Sequence, residues 1–557
     1  MSIAESYSAQ LVGLQAEVIT IEVDISNGLH SFSVIGLGDR SIEESKDRVS
    51  AAIKNSGYVS PKQKNQKVVV SLAPADMHKE GPAFDLGIAI TYLAATKDFA
   101  FNPGGKLFLG ELSLDGNIRK ISGVLPILCQ AQALGFVEAF VPKDNREEAS
   151  LAQGIYIYAV SSLQEVIEHL SGIKILENIS PLREIETHVH PNFIDMSTVR
   201  GNEKAKRGLE IAAAGAHNVL MYGAPGTGKT LLAHSFSSIL PPLSYEHSIE
   251  VTSIHSAAKT LEEGLITCPP FRSPHHTAST VSIIGGGIIP KPGEITLAHR
   301  GVLFLDEFPE FDRSVIEALR QPLEEHKITV SRIRTSVTFP AQTILLASMN
   351  PCPCGRKKGK GCICSDKIIA NYWRRLSGPI IDRIDIWLQV DEIDYEKMVE
   401  QPVQQSQSEK MSINIREARQ IQRSRFQNYF KLYDTQNRTS GAQINPKHIQ
   451  VNTQNRLSKE KSKNIPSFNS EMTADHIEKI IKISNDARTI LSTSARKLEL
   501  SGRAIHRIIK VAQTIADLDM VKSGNLSLIN DTIDNTELNI EIKKEHILEA
   551  LSYRKKY

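Results

Sequence analysis

Apolar and polar positions alternate regularly along the first 173 residues. Four runs have the period of strands, namely 17–25, 67–74, 106–114 and 155–160. Two other runs have the spacing of amphipathic helices, namely 44–57 and 84–95. A period of two predicts half-buried strands, whereas apolar positions three and four apart predict helices. The pattern therefore predicts one α/β domain over residues 1–173.

The remaining chain divides into a linker and two further regions. Residues 174–192 contain prolines and little periodicity, which indicates a linker, and a second strand–helix series occupies 193–395. Residues 396–557 are mainly helical in pattern, with helices predicted at 413–432, 474–490 and 503–519 and a polar, exposed insertion at about 434–472. The expected architecture is two α/β domains followed by a helical lid.

The second region contains a glycine-rich phosphate-binding motif. It follows the strand-like run HNVLMY, precedes a helical run, and consists of Gly223, Ala224, Pro225, Gly226, Thr227, Gly228, Lys229 and Thr230. Glycines allow backbone amides to surround phosphate oxygens, the lysine reaches the β and γ phosphates, and the threonine hydroxyl ligates Mg²⁺. The motif predicts an ATP and Mg²⁺ site on a parallel sheet.

Two acids and an amide extend this site. Asp306 and Glu307 end the apolar run GVLFL, and Asn350 ends the next run, TILLASM. We expect Asp306 to hold the Mg²⁺ shell and Glu307 to polarise the attacking water. Asn350 is predicted to contact the γ-phosphate or the water, and an ordinary turn residue is the alternative.

Arginines complete the predicted catalytic set. Arg383 follows a Gly-Pro break, where it could face the phosphate of a neighbouring subunit; a surface ion pair with Asp382 or Asp385 is the alternative. Arg503 opens the last long helical run and is expected to point at the nucleotide. Arg507, one turn later, is the competing candidate.

Four of the six cysteines cluster in one short segment. Cys352, Cys354, Cys362 and Cys364 fit a tetrahedral Zn²⁺ site, with reduced structural thiols or a redox switch as alternatives. They bracket a basic loop with Lys357 and Lys358, and a predicted hairpin at 328–339 carries Arg332 and Arg334. These four cations are candidate contacts to DNA phosphates, although solvated surfaces would explain them equally.

Composition narrows the class of protein further. The chain has 557 residues, 41% of them hydrophobic, and a formal net charge of +2, so any DNA contact must come from local patches. It lacks an apolar run long enough to span a bilayer, and its start does not have the pattern of a signal peptide. We expect a cytoplasmic protein with no membrane contact.

The motifs and their order resemble the ComM/YifB family of magnesium-chelatase-related AAA+ ATPases. The resemblance covers nearly the whole chain and includes SLAPADMHKEGPAFDL, RGNEKAKRGLEIAAAGAHNVLMYGAPGTGKT, FRSPHHTAS, NPCPCG and SGRAIHRIIKVAQTIADL. It implies a homo-oligomeric ring, a hexamer, with ATP between subunits, Arg383 as the finger and Arg503 as a second sensor. It also implies a DNA helicase that promotes branch migration of recombination intermediates in natural transformation.

The first domain resembles the proteolytic domain of Lon, which has a ribosomal S5-like α/β fold. Where the Lon motif carries its nucleophilic serine, this chain has Ala83, and the register places Leu125 where Lon has its catalytic lysine. A Ser–Lys mechanism requires both a hydroxyl and an amine. We therefore expect no peptidase activity, and a role in DNA binding or in building the ring.

Three functions are compatible with an ATPase that carries these motifs. The leading hypothesis is an ATP-driven translocase on single-stranded or branched DNA. A magnesium-chelatase-like motor subunit is the first alternative, although the chain has no recognisable chelating domain; a protein-remodelling chaperone is the second.

Overall fold

The computed structural model describes the chain over residues 2–181, 194–262, 264–287, 290–331, 336–356, 361–392, 407–439, 466–523 and 540–554. Two principal sheets organise these residues, one before and one after the predicted linker. Among the helices of these stretches, none has the length and apolar character needed to cross a bilayer. The fold is mixed α/β with a helical C-terminal part, as the sequence predicts.

The N-terminal domain is built on a mixed sheet. Its strands are β1 (Ser2–Val12), β2 (Gln15–Asn27), β3 (Ser31–Ile35), β4 (Gln66–Ala73), β5 (Lys106–Phe108), β6 (Glu111–Leu112), β7 (Ile118–Arg119), β8 (Glu138–Pro142) and β9 (Tyr156–Val160). Seven form one sheet in the order β3-β4-β2-β1-β5-β8-β9, antiparallel at β1–β2 and β2–β4 and parallel elsewhere. The short β6 and β7 pair separately.

One predicted strand of this domain is interrupted. The run 106–114 divides into β5 and β6 around Gly110, whose amide donates a hydrogen bond to the Ala83 carbonyl at 3.0 Å. A Cβ atom at Gly110 would lie 2.7 Å from Ile118 Cγ2, so this close packing is possible because the residue has no side chain.

Helices cover this sheet. They are α1 (Arg40–Asn55), α2 (Asp85–Ala95), α3 (Val124–Ala131), α4 (Arg146–Ala149) and α5 (Leu163–Leu170). Asp39 caps α1 by accepting a hydrogen bond from the Ile42 amide at 3.0 Å. Helix α2 is almost wholly buried, and Gly87 allows it to approach the sheet because a Cβ there would lie 2.5 Å from Ile21 Cδ1.

A parallel five-stranded sheet carries the glycine-rich motif. The strands of this domain are β10 (Val219–Tyr222), β11 (Phe271–Arg272), β12 (Gly285–Gly286), β13 (Lys291–Pro292), β14 (Val302–Leu305), β15 (Lys327–Ser331), β16 (Ser336–Pro340), β17 (Ile344–Met349) and β18 (Ile386–Gln389). The sheet order is β11-β14-β17-β10-β18, with every pairing parallel. Strands β12–β13 and β15–β16 form two separate antiparallel hairpins, the second at the predicted position.

Helices flank the five-stranded sheet, and apolar clusters pack around it. They are α6 (Glu203–Gly215), α7 (Lys229–Ile239), α8 (Tyr245–Ala257), α9 (Thr280–Ile284), α10 (Glu294–Leu297), α11 (Arg313–Ala318), α12 (Arg320–Glu325), α13 (Asp366–Arg374) and α14 (Gly378–Ile381). Because all five strands are parallel, their carboxyl ends meet at one edge of the sheet, where ligands bind in open α/β folds.

The C-terminal region packs as helices against the domain of the five-stranded sheet. They are α15 (Gln407–Thr439), α16 (Ala474–Ile480), α17 (Asn485–Lys497), α18 (Gly502–Lys522) and α19 (Lys544–Ser552). The single helix predicted at 474–490 is wrong, because the chain between α16 and α17 instead pairs with Ile542, whose amide donates to the Lys482 carbonyl at 2.9 Å. Ser484 then caps α17.

Two regions expected to be irregular are partly ordered by packing. In the predicted linker, residues 182–192 lie outside the described residues, but Ile179 is buried and its amide donates to the Ile157 carbonyl of β9. In the predicted insertion, 440–465 lie outside the described residues. Its C-terminal end is not exposed, because Asn469 is buried and bonds to Arg425 and Asp517, themselves a buried ion pair.

Candidate functional site

The carboxyl edge of the parallel sheet brings the predicted catalytic residues together. Lys229 follows β10, Asp306 follows β14 and Asn350 follows β17, and β17 lies between the other two strands. Lys229 Nζ lies 3.3 Å from Asn350 Oδ1, and Thr230 Oγ1 lies 3.0 Å from Asp306 Oδ2. Residues from three separate motifs therefore form one polar site.

The glycine-rich loop has the backbone shape that its sequence predicts. Gly226 and Gly228 have φ values of +77° and +87°, which residues with side chains rarely adopt. At Gly223 the reason for glycine is space, since a Cβ would lie 2.2 Å from the Val390 carbonyl oxygen. Thr227 closes the loop internally by donating to the Ala224 carbonyl at 2.9 Å.

Lys229 is buried inside this loop. Its ammonium group donates to the carbonyls of Gly223 and Ala224, both at 2.8 Å. Burial lowers the pKa of Lys229, and the nearby carboxylates of Asp306 and Glu307 oppose that effect. The loop thus holds the cation at the start of α7, where an anionic phosphate is stabilised by the helix N-terminus.

Asp306 is oriented by three donors. Besides Thr230, it accepts hydrogen bonds from the Ser348 hydroxyl and from the Glu307 amide, the latter at 2.9 Å. Ser348 is buried on β17 and was not among the predicted site residues; a lone hydroxyl in an otherwise apolar strand was its signal. The fixed carboxylate beside a threonine hydroxyl offers the hard oxygen ligands that Mg²⁺ prefers.

Glu307 lies beside a histidine pair. It adopts a left-handed backbone with φ of 52°, and its side chain is half exposed. His276 Nδ1 lies 3.5 Å from Glu307 Oε2, and the ring of His275 lies 4.1 Å from that of His276. His276 therefore lies beside the carboxylate that is predicted to polarise the attacking water.

Arg383 forms its ion pair with a different carboxylate from the two that the sequence suggested as alternatives. It lies just after α14, largely buried, and donates to the Pro379 carbonyl at 2.7 Å and to the Glu324 carboxylate. The alternative pairing with Asp382 or Asp385 is therefore wrong, because the guanidinium turns toward α12. Within one chain, the exposed carboxylate of Glu324 therefore holds the largely buried guanidinium of Arg383.

The two lid arginines differ in environment. Arg503 is exposed in the first turn of α18, which Ser501 caps. Arg507 is mostly buried and lies 3.7 Å from Asp385. Burial opposes ionisation of Asp385, but His217, Arg507 and Lys510 outweigh it and lower the pKa of Asp385 to about 2. Arg507 therefore has a structural ion pair, whereas Arg503 is the more accessible candidate sensor.

The four clustered cysteines converge. The Sγ atoms of Cys352, Cys354, Cys362 and Cys364 all lie within 4.8 Å of one another, and Cys352 lies 3.3 Å from Cys354 and 3.6 Å from Cys362. The pKa of the Cys354 thiol falls to about 6, chiefly because of a backbone hydrogen bond from Arg356.

The cysteine loop also contacts the phosphate loop. A Cβ on Gly355 would lie 2.6 Å from Pro225 Cγ, and the loop begins directly after Asn350. The cluster is thus adjacent to the nucleotide site. The candidate DNA contacts Arg332, Arg334, Lys357 and Lys358 lie outside the described residues.

Comparisons with known proteins place the whole chain in one family. Three family models match: "Subunit ChlI of Mg-chelatase" at residues 21–145, "Magnesium chelatase, subunit ChlI" at 195–398, and the C-terminal part of that subunit at 405–554.

Individual relatives extend the match over the full length. The competence protein ComM of Haemophilus influenzae is 36% identical across all of this chain and 98% of its own length, and YifB of Escherichia coli is 36% identical across all of this chain and 97% of its own. A Mycobacterium tuberculosis protein is 39% identical over 70% of this chain and 77% of its own. The chain therefore belongs to the ComM/YifB family of magnesium-chelatase-related AAA+ proteins.

Proposed function

We propose that this protein is an ATP-dependent, ring-forming DNA helicase that promotes branch migration of recombination intermediates, as in natural transformation. The observation that carries the proposal is the assembled Lys229–Thr230–Asp306–Asn350 site in a chain similar over its full length to a competence protein. A cytoplasmic location is part of the proposal, since the substrate is intracellular DNA.

The geometry supports specific roles at the nucleotide. Lys229 would leave its loop carbonyls to neutralise the β and γ phosphates, and Thr230 with Asp306 would hold Mg²⁺, which supplies charge neutralisation at the phosphates. Glu307 would polarise the attacking water, and Asn350, which already contacts Lys229, would sense the γ-phosphate.

Ring formation would complete the site. Arg383 lies beside a surface turn and is held by Glu324, so a neighbour's γ-phosphate would have to compete with that carboxylate. We propose that it acts across the subunit interface of a homo-hexamer, where such an arginine contributes about 10³–10⁵ in rate. Arg503 would contact the nucleotide of its own subunit from the lid.

The cysteine cluster would hold a structural Zn²⁺. Four thiolates at the Zn–S distance of about 2.3 Å lie about 3.8 Å from one another in a tetrahedron, and the observed separations of 3.3–3.6 Å and the common limit of 4.8 Å fit that size. Reduced thiols and a redox pair remain the competing states, and metal analysis distinguishes them.

The DNA would run along the β15–β16 hairpin. Arg332 and Arg334, which lie between β15 and β16 in the sequence, would contact phosphates without reading base sequence, together with Lys357 and Lys358 of the segment between the cysteines. The polar face of the hairpin, with Thr329, Ser331, Ser336 and Thr338 exposed, is compatible with this.

One finding favours a second candidate function. All three matching family models carry the name of a magnesium chelatase subunit, so a chelatase-like motor is the alternative. ATP hydrolysis would then respond to a chelatase partner and a porphyrin-type substrate instead of to DNA.

The deciding experiment measures ATP hydrolysis with and without forked DNA, alongside unwinding of the same fork. We expect DNA to stimulate hydrolysis severalfold and the fork to be separated only when ATP is hydrolysed. Glu307→Gln is the matched control, since it should bind ATP and DNA without turnover. No response to single-stranded, forked or three-stranded DNA would contradict the proposal.

A further inference from the structure

The turn between β1 and β2 of the N-terminal domain reaches the ATPase domain at one defined place. Val12 and Leu14 pack against the apolar cluster that includes Val337 and Phe339 of β16. Between them, Gly13 approaches so closely that a Cβ would lie 2.2 Å from Val337 Cγ1. Gly13 also has a φ of +66°, a conformation that favours glycine.

The apolar face of the β15–β16 hairpin must pack against other parts of the protein. Its residues alternate, with Ile328, Val330, Val337 and Phe339 buried and their neighbours exposed. A two-stranded hairpin is at best marginally stable alone in water, so its apolar face must pack on something. The turn Val12–Leu14 supplies part of that cover from the N-terminal domain.

Hydrogen bonds to helix α3 hold the turn Val12–Leu14 in place. Gln130 of α3 donates to the Leu14 carbonyl at 2.9 Å and accepts from the Ala16 amide at 3.1 Å. The start of α3 is tied to the ATPase domain, because the Gly123 amide donates to Ser256 Oγ of α8 at 3.1 Å. Ser256 in turn donates to the buried carboxylate of Glu148.

These contacts form a closed path between the two domains. One end of α3 holds the turn that lies on the hairpin, and the other end is attached to α8. We propose that the turn Val12–Leu14 is a brace that positions the β15–β16 hairpin, and that this is what the N-terminal domain contributes to the motor. The DNA readout below rests on the proposed function, whereas the contact itself does not.

The test compares Gly13→Ala with Gly57→Ala. Gly57 has a similar φ of +86° but open space around a Cβ, so the control carries the backbone strain without the collision. The readouts are hydrogen exchange at 327–331 and 336–340, basal ATP hydrolysis, and unwinding of forked DNA. Gly13→Ala should raise exchange in the hairpin by about tenfold or more over the control.

Fork unwinding should fall in the variants in which hydrogen exchange of the hairpin rises. We expect fork unwinding by Gly13→Ala to fall about fivefold or more while basal hydrolysis stays within about twofold of the control. Adding Val337→Ala removes the colliding methyl group, leaving atoms no nearer than 3.5 Å, and should return hairpin exchange to the level of Val337→Ala alone. Leu14→Ala, which removes contact without strain, should have the same effect if Gly13→Ala does not fold.

Two results would overturn the proposal. One is hairpin exchange in both Gly13→Ala and Leu14→Ala that matches the control, and the other is raised exchange with full unwinding. If the wild-type protein does not respond to DNA, the proposed function fails, and hydrogen exchange still decides whether the turn positions the hairpin.

Discussion

The phosphate loop and the cleft of the N-terminal domain show what happens when chemistry is kept and when it is lost. At the phosphate loop, Lys229, Thr230 and Asp306 contact one another or their neighbours as the motifs require. In the N-terminal domain, Ala83 lines a cavity of about 590 Å³, at the position where the sequence resemblance to Lon would place a nucleophile. An alanine side chain offers no nucleophilic group.

The same cleft also contacts the ATPase domain. Its wall includes Ser256 and Lys259, which belong to or follow α8, and Glu148 bonds to both Ser256 and the Leu125 amide. The walls of this cleft therefore serve packing between the two domains. At the nucleotide site, by contrast, each polar group has a proposed role in binding or hydrolysis.

The largest expected effect lies at the phosphate loop. Lys229→Ala should bind no ATP, because it removes the cation that faces the β and γ phosphates, and hydrolysis should fall by at least about 10³-fold. Glu307→Gln should bind ATP normally and fail to hydrolyse it. Equilibrium binding of a fluorescent ATP analogue separates the two, and normal turnover by either variant would contradict the site.

Arg383→Ala should still bind ATP, and its hydrolysis rate should fall by about 10³-fold, because we propose that this cation acts on the phosphate bound by the neighbouring subunit. Arg374→Ala, an exposed arginine on the same segment, is the matched control and should hydrolyse ATP at nearly the wild-type rate. Mixing Arg383→Ala with Glu307→Gln should restore some activity through interfaces that combine both intact residues. Full activity of a strictly monomeric form would exclude the shared site.

The cysteine cluster should hold about one Zn²⁺ per chain. Replacing Cys352 and Cys362 with serine should release the metal and lower the melting temperature of the ATPase domain by about 5 °C. The change should also weaken ATP binding, since Gly355 of this loop packs on Pro225. Elemental analysis of protein purified without chelators is the measurement, and absence of metal would refute the assignment.

A smaller effect is expected at His276. A partly exposed contact between polar side chains contributes about 0.2–1 kcal/mol, so His276→Ala should lower kcat by up to about fivefold, with little change in KM. His275→Ala, which leaves the contact to Glu307 in place, is the control. Equal kinetics for the two variants would show that His276 does not position Glu307.

The N-terminal cleft should show no peptidase activity at all. Ala83 lacks a nucleophile and Leu125 lacks an amine, so neither partner of a Ser–Lys mechanism is present. Casein incubated with ATP and protein from a host without Lon should remain intact. Cleavage that follows this chain through purification and disappears in Lys229→Ala would contradict the expectation.

The sequence predicts most of the nucleotide site because each part is a local motif next to a strand. Lys229, Asp306 and Asn350 each end or follow an apolar run, and parallel strands bring those ends together. The strand order follows no such local rule. The lone hydroxyl of Ser348 on an apolar strand was a signal, but its contact with Asp306 depends on the strand order, and so does the contact of His276 with Glu307.

Contacts between segments that are distant in sequence account for the other differences between the predictions and the structure. The helix predicted at 474–490 is broken by pairing with Ile542, and the end of the predicted insertion is held by the buried pair of Arg425 and Asp517. Arg383 bonds to Glu324 on a different helix and not to the acids beside it in sequence. In each case a long-range partner outweighs the local pattern.

We propose that ATP hydrolysis at this site drives branch migration of DNA. The most direct measurement follows a labelled strand in a three-strand branched substrate, with wild-type protein and with Glu307→Gln. We expect the branch point to move with ATP and wild-type protein, and we expect Glu307→Gln to bind the branch without moving it. Wild-type protein that hydrolyses ATP but leaves the branch unmoved, with or without DNA stimulation, would show that hydrolysis at this site does not drive branch migration.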